Sequence, residues 1–577
     1  MPIRQGVDFP ADETGRRSST AFGRAVVADA LRHVDPSAAA AAERETDWRR
    51  GYPRHFKALV ETGLADDGAA GYELAEAGLA SVQARIRYRR DDGEFTLAQA
   101  MMAAPGRSFD TIEVKGSERP ETEVVLPYRG ELLRGDALRR RLDAWVTAGV
   151  IEDSCAEAVR EVIASPDWLD LSDQTLVAAG AGTEMGPVGA VLGWGGTVLA
   201  LDLPRERVWQ RVESIAAGGA GRLLAPVSGD VPGADLLSDL GGIAQWVLGF
   251  DGRLILGNYV YAPGGAYPLL AAAVDALGTH LRHHRNDTAL AFLATPTDVY
   301  ATPAAAVVHS RERYASRGVR SKLTAAVSGG RLMRPNYPCD EVPGLNDSLV
   351  PQQGPNYALA KRVHRWRATL TRRDGVVSFA VAPPTRTKSV TSNRLLAAAY
   401  AGAHLFDVEI FEPETASKLM ALLLVHQLRK PRPATRAAWA DEAVAAAHGG
   451  LWHTAYHPRT ALPLAAVRGL VLPASRPASL ASPSASPSGS SSPSPAAPPG
   501  PSSPSPTPPG PTPPGSSSPG PTPPGASSPG PTPPGGSSPG PTPPGGSSPG
   551  PTPPGGSSPG PTPPGGSSPS PTPPGSL

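Results

Sequence analysis

The sequence predicts an α/β protein: a doubly wound parallel sheet in residues 171–472, preceded by a mainly helical extension (1–170) and followed by a disordered tail rich in Pro, Gly and Ser (473–577). Three observations carry this. Apolar runs of strand length alternate with helical segments from Gln174 onward, a glycine loop joins the first such strand to the first helix, and the composition changes abruptly near Pro473.

In the first part, "STAFGRAVVADALRHV" and "YELAEAGLASVQARIRYRR" set apolar and charged residues at helical spacing. "FDTIEVKG" and "TEVVLPYRG" read as short strands, and "DALRRRLDAWVTAGVIEDSCAEAVREVIASPDW" as two helices broken at Gly149. No chemical motif stands out here, so a scaffold role is expected. From Gln174 the chain runs strand, glycine loop, helix, strand, acid, helix through "QTLVAAGAGTEMGPVGAVLGWGGTVLALDLPRERVWQRV". "GRLLAPVSGDV", "GRLILGNYVYAPGG", "TALAFLATPTDVY" and "GVVSFAVAP" are apolar runs of the kind that fill strands buried on both faces. Helices such as "YPLLAAAVDALGTHLRHH" separate several of them, which argues for a parallel sheet covered on both sides. The tail carries no charge after Arg476 and repeats a decapeptide close to "SSPGPTPPGG" from about Ser516. With almost nothing apolar to bury, it cannot offset the entropy of ordering and is expected to be disordered and partly polyproline II. A spacer, a glycan-bearing stalk and a ligand for proline-recognising domains all fit it.

The formal net charge of +1 gives no reason to expect nucleic acid or an anionic membrane as partner. Cys155 and Cys339 make neither a disulfide framework nor a metal spacing, which fits a reducing compartment. The opening "MPIRQGVDFPADETGRR" lacks the apolar core of a secretory signal, and "LMALLLVHQL" is too short to span a membrane. A cytoplasmic location is expected. The histidines in "LRHHRND" and "LWHTAYHP" lack the further ligands that zinc requires, so no metal site is expected.

Gly180, Gly182 and Gly186 form GxGxxxG between a strand and a helix. Glycines there let the backbone turn tightly and approach a pyrophosphate, as in a Rossmann nucleotide-binding unit. Asp202, at the end of the next strand, is placed to accept hydrogen bonds from a ribose diol and to repel a 2′-phosphate, which tilts NAD over NADP. Arg205 and Arg207 sit near enough to bind that phosphate. S-adenosylmethionine fits the same loop and acid, with Asp230 of "APVSGD" in an adenine-side turn.

"GPNYALAKR" (354–362) puts Tyr357 and Lys361 on one helical face. A phenol beside an ammonium is a plausible proton donor, because the positive charge favours the phenolate. The segment continues into "VVSFAVAPPTRT", and together they resemble the short-chain dehydrogenase/reductase superfamily, whose YxxxK helix leads into a strand and an N-x-V-x-P-G turn. Pro384 stands where that turn usually has glycine, and Val188, with Gly189 beside it, where the family loop has its last glycine. "FEPETASKLMALLLV" resembles a late family helix, "ILGNYVYAPGG" the strand end with Asn258 at the second Asn or beside it, and Asp230 the acid that caps the adenine. The resemblance covers about Thr175 to Leu428 and marks 299–350 as an insertion.

It implies an NAD(P)-dependent oxidoreductase moving hydride between nicotinamide and a carbonyl or alcohol. Tyr357 would be the acid, Lys361 would lower its pKa and bind the nicotinamide ribose, and Asn258 would hold a relay water. Thr297 would bind the carbonyl oxygen, with Thr295 and Ser348 as rivals. Gly180, Gly182, Gly186, Asp202 and Asp230 would hold the cofactor. Family analogy also implies a homo-oligomer. Two other readings stay open: a methyltransferase using S-adenosylmethionine, and a non-catalytic Rossmann binding module.

Overall fold

The structure, a computed structural model, describes residues 5–103, 107–338 and 342–471. The tail and Cys339, with the roles expected of them, lie outside the described residues.

The first part of the chain is helical and includes α1 (Ser19–Leu31), α2 (Trp48–Gly63) and α3 (Ala70–Arg85), with a short helix at Pro36–Glu43 between α1 and α2. Ser18 and Asp47 cap the first two by accepting backbone N–H bonds from Ala21 and Arg50, satisfying donors a helix start leaves free. "FDTIEVKG" forms β1 (Asp110–Lys115), and the helices expected around Gly149 are α4 (Gly135–Thr147) and α5 (Asp153–Ala164).

From Gln174 strands and helices alternate as β2 (Gln174–Ala179), α6 (Val188–Gly193), β3 (Thr197–Leu201), α7 (Glu206–Ala217) and β4 (Arg222–Val227). They continue as α8 (Leu240–Leu248), β5 (Arg253–Asn258), α9 (Ala266–His284) and β6 (Ala289–Ala294). The segment read as an insertion leaves through β7 (Val299–Thr302), carries α10 (Ala304–Ala315) and α11 (Val319–Val327), and returns through β8 (Gly344–Asp347). β7 and β8 pair antiparallel, Val299 with Asp347 and Thr302 with Gly344, so the excursion begins and ends at one place. Then come α12 (Pro355–Thr371), β9 (Val377–Val381), α13 (Arg394–Gly402), α14 (Pro413–Arg429), α15 (Ala438–Ala443) and α16 (Pro458–Val471).

This is a mixed α/β architecture on a largely parallel seven-stranded sheet, ordered β9-β6-β5-β2-β3-β4-β1. Only β1 runs antiparallel, extending the edge at β4 with a strand from the first part of the chain. Alternate side chains explain why both faces are covered. Val177 and Ala179 join an apolar layer with Phe292, Leu359 and the α1–α3 residues Val27, Phe56 and Leu79, whereas Leu176 and Ala178 join another with Val159, Val191 and Leu423. Counting the six parallel strands in chain order, the sheet reads 3-2-1-4-5-6, and the direction of winding reverses between β2 and β5. In open α/β sheets such a reversal leaves a crevice at the carboxyl ends of the strands. Among the described residues no helix is long and apolar enough to cross a membrane.

Candidate functional site

The glycine loop leaves β2 at that reversal. Gly180 has φ +83°, and a Cβ there would lie 2.9 Å from the Tyr259 carbonyl, so only glycine lets the two chains pass this closely. Asp202 at the end of β3 clamps the loop: its Oδ2 accepts from Gly182 N–H at 2.9 Å and its Oδ1 from Leu203 N–H at 2.8 Å. Burial raises its pKa, opposed by those two amides and by Arg205. Arg211 on α7 donates to the Gly182 carbonyl at 3.0 Å, bringing a cation to the loop.

A cleft of about 530 Å³ begins at Gly182, Thr183 and Met185 and runs to Tyr357 and Lys361 on α12. The first turn of α12 is set by Pro355, whose fixed φ and missing N–H suit a helix start. Four residues then separate the phenol from the ammonium on one face. Lys361 donates to the Leu293 carbonyl on β6 at 3.0 Å, and burial brings its pKa down to about 8, with Asp298 pulling the other way. Burial pushes the Tyr357 phenol up to about 12, opposed by a hydrogen bond with the Thr295 hydroxyl. The lowering expected from a lysine neighbour is not present here: the nearby charges of Tyr261 and Asp298 raise the pKa together with burial.

The hydroxyl facing Tyr357 is therefore Thr295. Thr297 stands behind it, its Oγ1 2.8 Å from that of Thr295 and donating to Gln353 Oε1 at 3.0 Å. Ser348 points elsewhere, donating to Asn346 Oδ1 at 2.6 Å. Asn258, 1 % exposed at the end of β5, lines the cleft with neither amide atom hydrogen-bonded. A buried amide without partners costs free energy unless something else supplies them, and a water or a ligand in the cleft is placed to do so. Gly180, Gly186 and Asp202 shape the loop without lining the cleft, whereas Asp230 lies exposed in the turn after β4, also off the cleft wall.

Two buried polar groups escaped the sequence reading. Asp298 follows Thr297 and takes Arg362 at 3.3 Å and Arg365 at 2.8 Å, while Arg365 also holds Glu442 of α15 at 2.6 Å. Elsewhere His448 and His453 each approach Glu152 Oε1, at 2.9 and 2.8 Å, and draw its pKa down to about 2 against the burial that raises it. These three residues offer ligand atoms within 4.8 Å of one another. However, His448 Nδ1 accepts from Gly450 N–H at 3.1 Å, which leaves the proton on Nε2 facing the carboxylate. A metal on that nitrogen would need this proton removed, so the cluster reads as a hydrogen-bonded staple between the start of α5 and the 448–453 loop. His453, the first histidine of "LWHTAYHP", thus spends its Nε2 on Glu152.

No protein-family model and no curated protein matches the chain. Among solved structures it is similar to a short-chain dehydrogenase/reductase from Serratia marcescens, at 15% identity over 48% of this chain and 98% of that one, with a TM-score of 0.28. An oxidoreductase of that family from Burkholderia thailandensis is similar at 15% identity, over 48% and 92% of the two chains, with a TM-score of 0.28. A short-chain type dehydrogenase/reductase from Mycobacterium marinum is similar at 13% identity, over 49% and 98%, again with a TM-score of 0.28. Likenesses this slight carry no functional conclusion, and the side-chain geometry has to supply it.

Proposed function

We propose that this chain is an NAD(P)-dependent oxidoreductase of short-chain dehydrogenase/reductase type, built on a Rossmann sheet. One observation carries the reading: Tyr357, Lys361, Thr295 and Asn258 converge on the cleft that begins at the glycine loop, although they come from two different elements, α12 and β5, and the loop after β6. The fit to a dinucleotide rests on the close backbone approach at Gly180, the cation of Arg211 at the loop, and the unpartnered amide of Asn258.

Bound NAD(P) would supply or accept the hydride. Gly182 to Met185 and Arg211 would hold its pyrophosphate, and Asp202, behind the cleft wall, would keep that loop in place through Gly182. With a pKa near 12 the phenol of Tyr357 stays protonated at neutral pH, which suits it to donate to a developing alkoxide. Thr295 would donate to the same oxygen, stabilising charge that appears only in the transition state, and Thr297 would keep that hydroxyl oriented. Lys361, charged at neutral pH, would hold the nicotinamide ribose. Asn258 would position a water that returns the proton.

Fluorescence titration tests the reading. Saturable NADH or NADPH binding is expected, with none of S-adenosylmethionine, followed by turnover on a carbonyl panel that Tyr357→Phe abolishes. Binding of S-adenosylmethionine alone would replace the proposal by a methyltransferase. Cofactor binding without turnover on any substrate would leave a binding module.

A further inference from the structure

The helix α11, carried by the excursion between β7 and β8, turns its apolar side outward. None of its residues is buried, and Val319, Leu323 and Val327 are 79, 61 and 81 % exposed. Standing four residues apart, they advance only about 40° per step and form one stripe along the helix. The side toward the protein carries Ser321, Thr324, Ala325 and Ser328, and these are the partly covered residues. Thr324 and Ser328 donate their hydroxyls to the Arg320 and Ala325 carbonyls, both at 2.9 Å, and Ala325 packs beside Met333 and Tyr456. A surface helix ordinarily keeps its apolar side against the core. One built the other way leaves a stripe that gains free energy only when something outside the fold covers it.

Charge narrows what that can be. Helical spacing puts Arg320 on one edge of the stripe and Lys322 on the other. Neither side chain has an ion-pair or hydrogen-bond partner among the described residues. From Arg313 to Pro338 the chain carries six cations and no carboxylate, an excess that the overall charge of +1 conceals. The occupant is therefore acidic as well as apolar. A second copy would press these cations against their own kind, and the tail, with no charged residue after Arg476, offers them nothing. Protein partners grip through Trp, Tyr and Arg anchors seated in shaped pockets, whereas this stripe is three aliphatic side chains. A Cβ on Gly318, Gly329 or Gly330 would meet nothing within 4 Å, so both ends of the helix stand clear of the described residues. The surface of a bilayer takes aliphatic groups without shape complementarity and lets cations on both flanks reach lipid phosphates.

We infer that α11 docks the protein on an anionic lipid bilayer, lying along its surface with Val319, Leu323 and Val327 at the acyl boundary and Arg320 and Lys322 among the phosphates. Lying on a membrane in this way needs no helix that crosses it, and the inference stands apart from the redox reading. The full chain is sedimented with vesicles of equimolar phosphatidylcholine and phosphatidylglycerol, and separately with vesicles of phosphatidylcholine alone. Saturable binding to the anionic vesicles is expected, weakened by added salt, with binding to the neutral ones about tenfold weaker or less. Leu323→Asp, and Arg320→Glu combined with Lys322→Glu, are each expected to weaken binding to the anionic vesicles about tenfold or more. Because none of these side chains is buried, the unfolding midpoint is expected to stay where it is. Should Leu323→Asp fail to fold, Leu323→Ser makes the milder change and is expected to weaken binding severalfold. Absence of binding to the anionic vesicles overturns the inference and makes an acidic protein the occupant. Equal binding to both kinds of vesicle, or undiminished binding in both folded variants, overturns it as well. So does a dimer of the natural chain that Leu323→Asp dissociates, since a second copy would then cover the stripe.

Discussion

The two sides of Lys361 along one face of α12 make an instructive contrast. Toward the start of the helix, Tyr357 and Lys361 itself face a cleft in which Asn258 has no partner and Lys361 holds only a backbone carbonyl. Toward its end, one turn further along, Arg365 fills its donors with Asp298, Glu442 and the Val299 carbonyl. Both sides bury polar groups, and burial costs both the same kind of desolvation. Only the second recovers that cost within the protein. The paired side therefore serves as scaffold, holding the β6–β7 connection and its threonines against α12, and the unpaired side is left open for a ligand.

The contrast is sharpest for Arg365→Met. Its side chain is 2 % exposed, and its loss leaves Glu442 without this partner and Asp298 with Arg362 alone, so denaturant unfolding is expected to show a loss of about 3–5 kcal/mol. A loss under about 1 kcal/mol would break the assignment of scaffold to this side. Tyr357→Phe should do the reverse: turnover falls by about 10²-fold or more while the unfolding midpoint hardly moves.

Lys361→Met separates the sides by pH. The folded pKa of about 8 lies below the ordinary 10.5, so the unfolded chain binds this proton more tightly. The buried ammonium thus costs stability below about pH 8, and the cost fades as pH rises from 8 to 10.5. The variant is expected to be about 1–3 kcal/mol more stable at pH 7, with the gain vanishing by about pH 10.5, and to bind NADH more weakly. A variant less stable at pH 7 would move Lys361 to the scaffold. The smallest effect on stability belongs to Asn258→Ala, within about 1 kcal/mol because no hydrogen bond is lost, while turnover drops about tenfold. Stability loss without loss of turnover would show that its amide serves the fold.

Much of this molecule was legible from periodicity. The alternation from Gln174, the two helices around Gly149 and the strand in "FDTIEVKG" follow from local spacing of apolar groups, which backbone geometry converts directly into secondary structure. The glycine loop and the Tyr357–Lys361 pair were visible for the same reason, since each is written within a few consecutive residues. That Thr295 rather than Thr297 faces the Tyr357 phenol was not legible, because two residues at the end of a strand differ only in which way the chain turns after it. Gly180, Gly186 and Asp202 fell behind the cleft wall because a residue that shapes a turn need not reach its mouth.

The sequence by itself determined the alternation of strands and helices, the bend that only glycine permits and the helix that carries a phenol and an amine on one face. The tertiary structure alone decided that Arg365 would meet Asp298 and Glu442, that Glu152 would meet two histidines almost three hundred residues away, and that Asn258 would be left without a partner. The physical reason is range. Periodicity is a property of neighbours in the chain, whereas the pairing of a buried charge depends on which distant segment the apolar layers bring beside it.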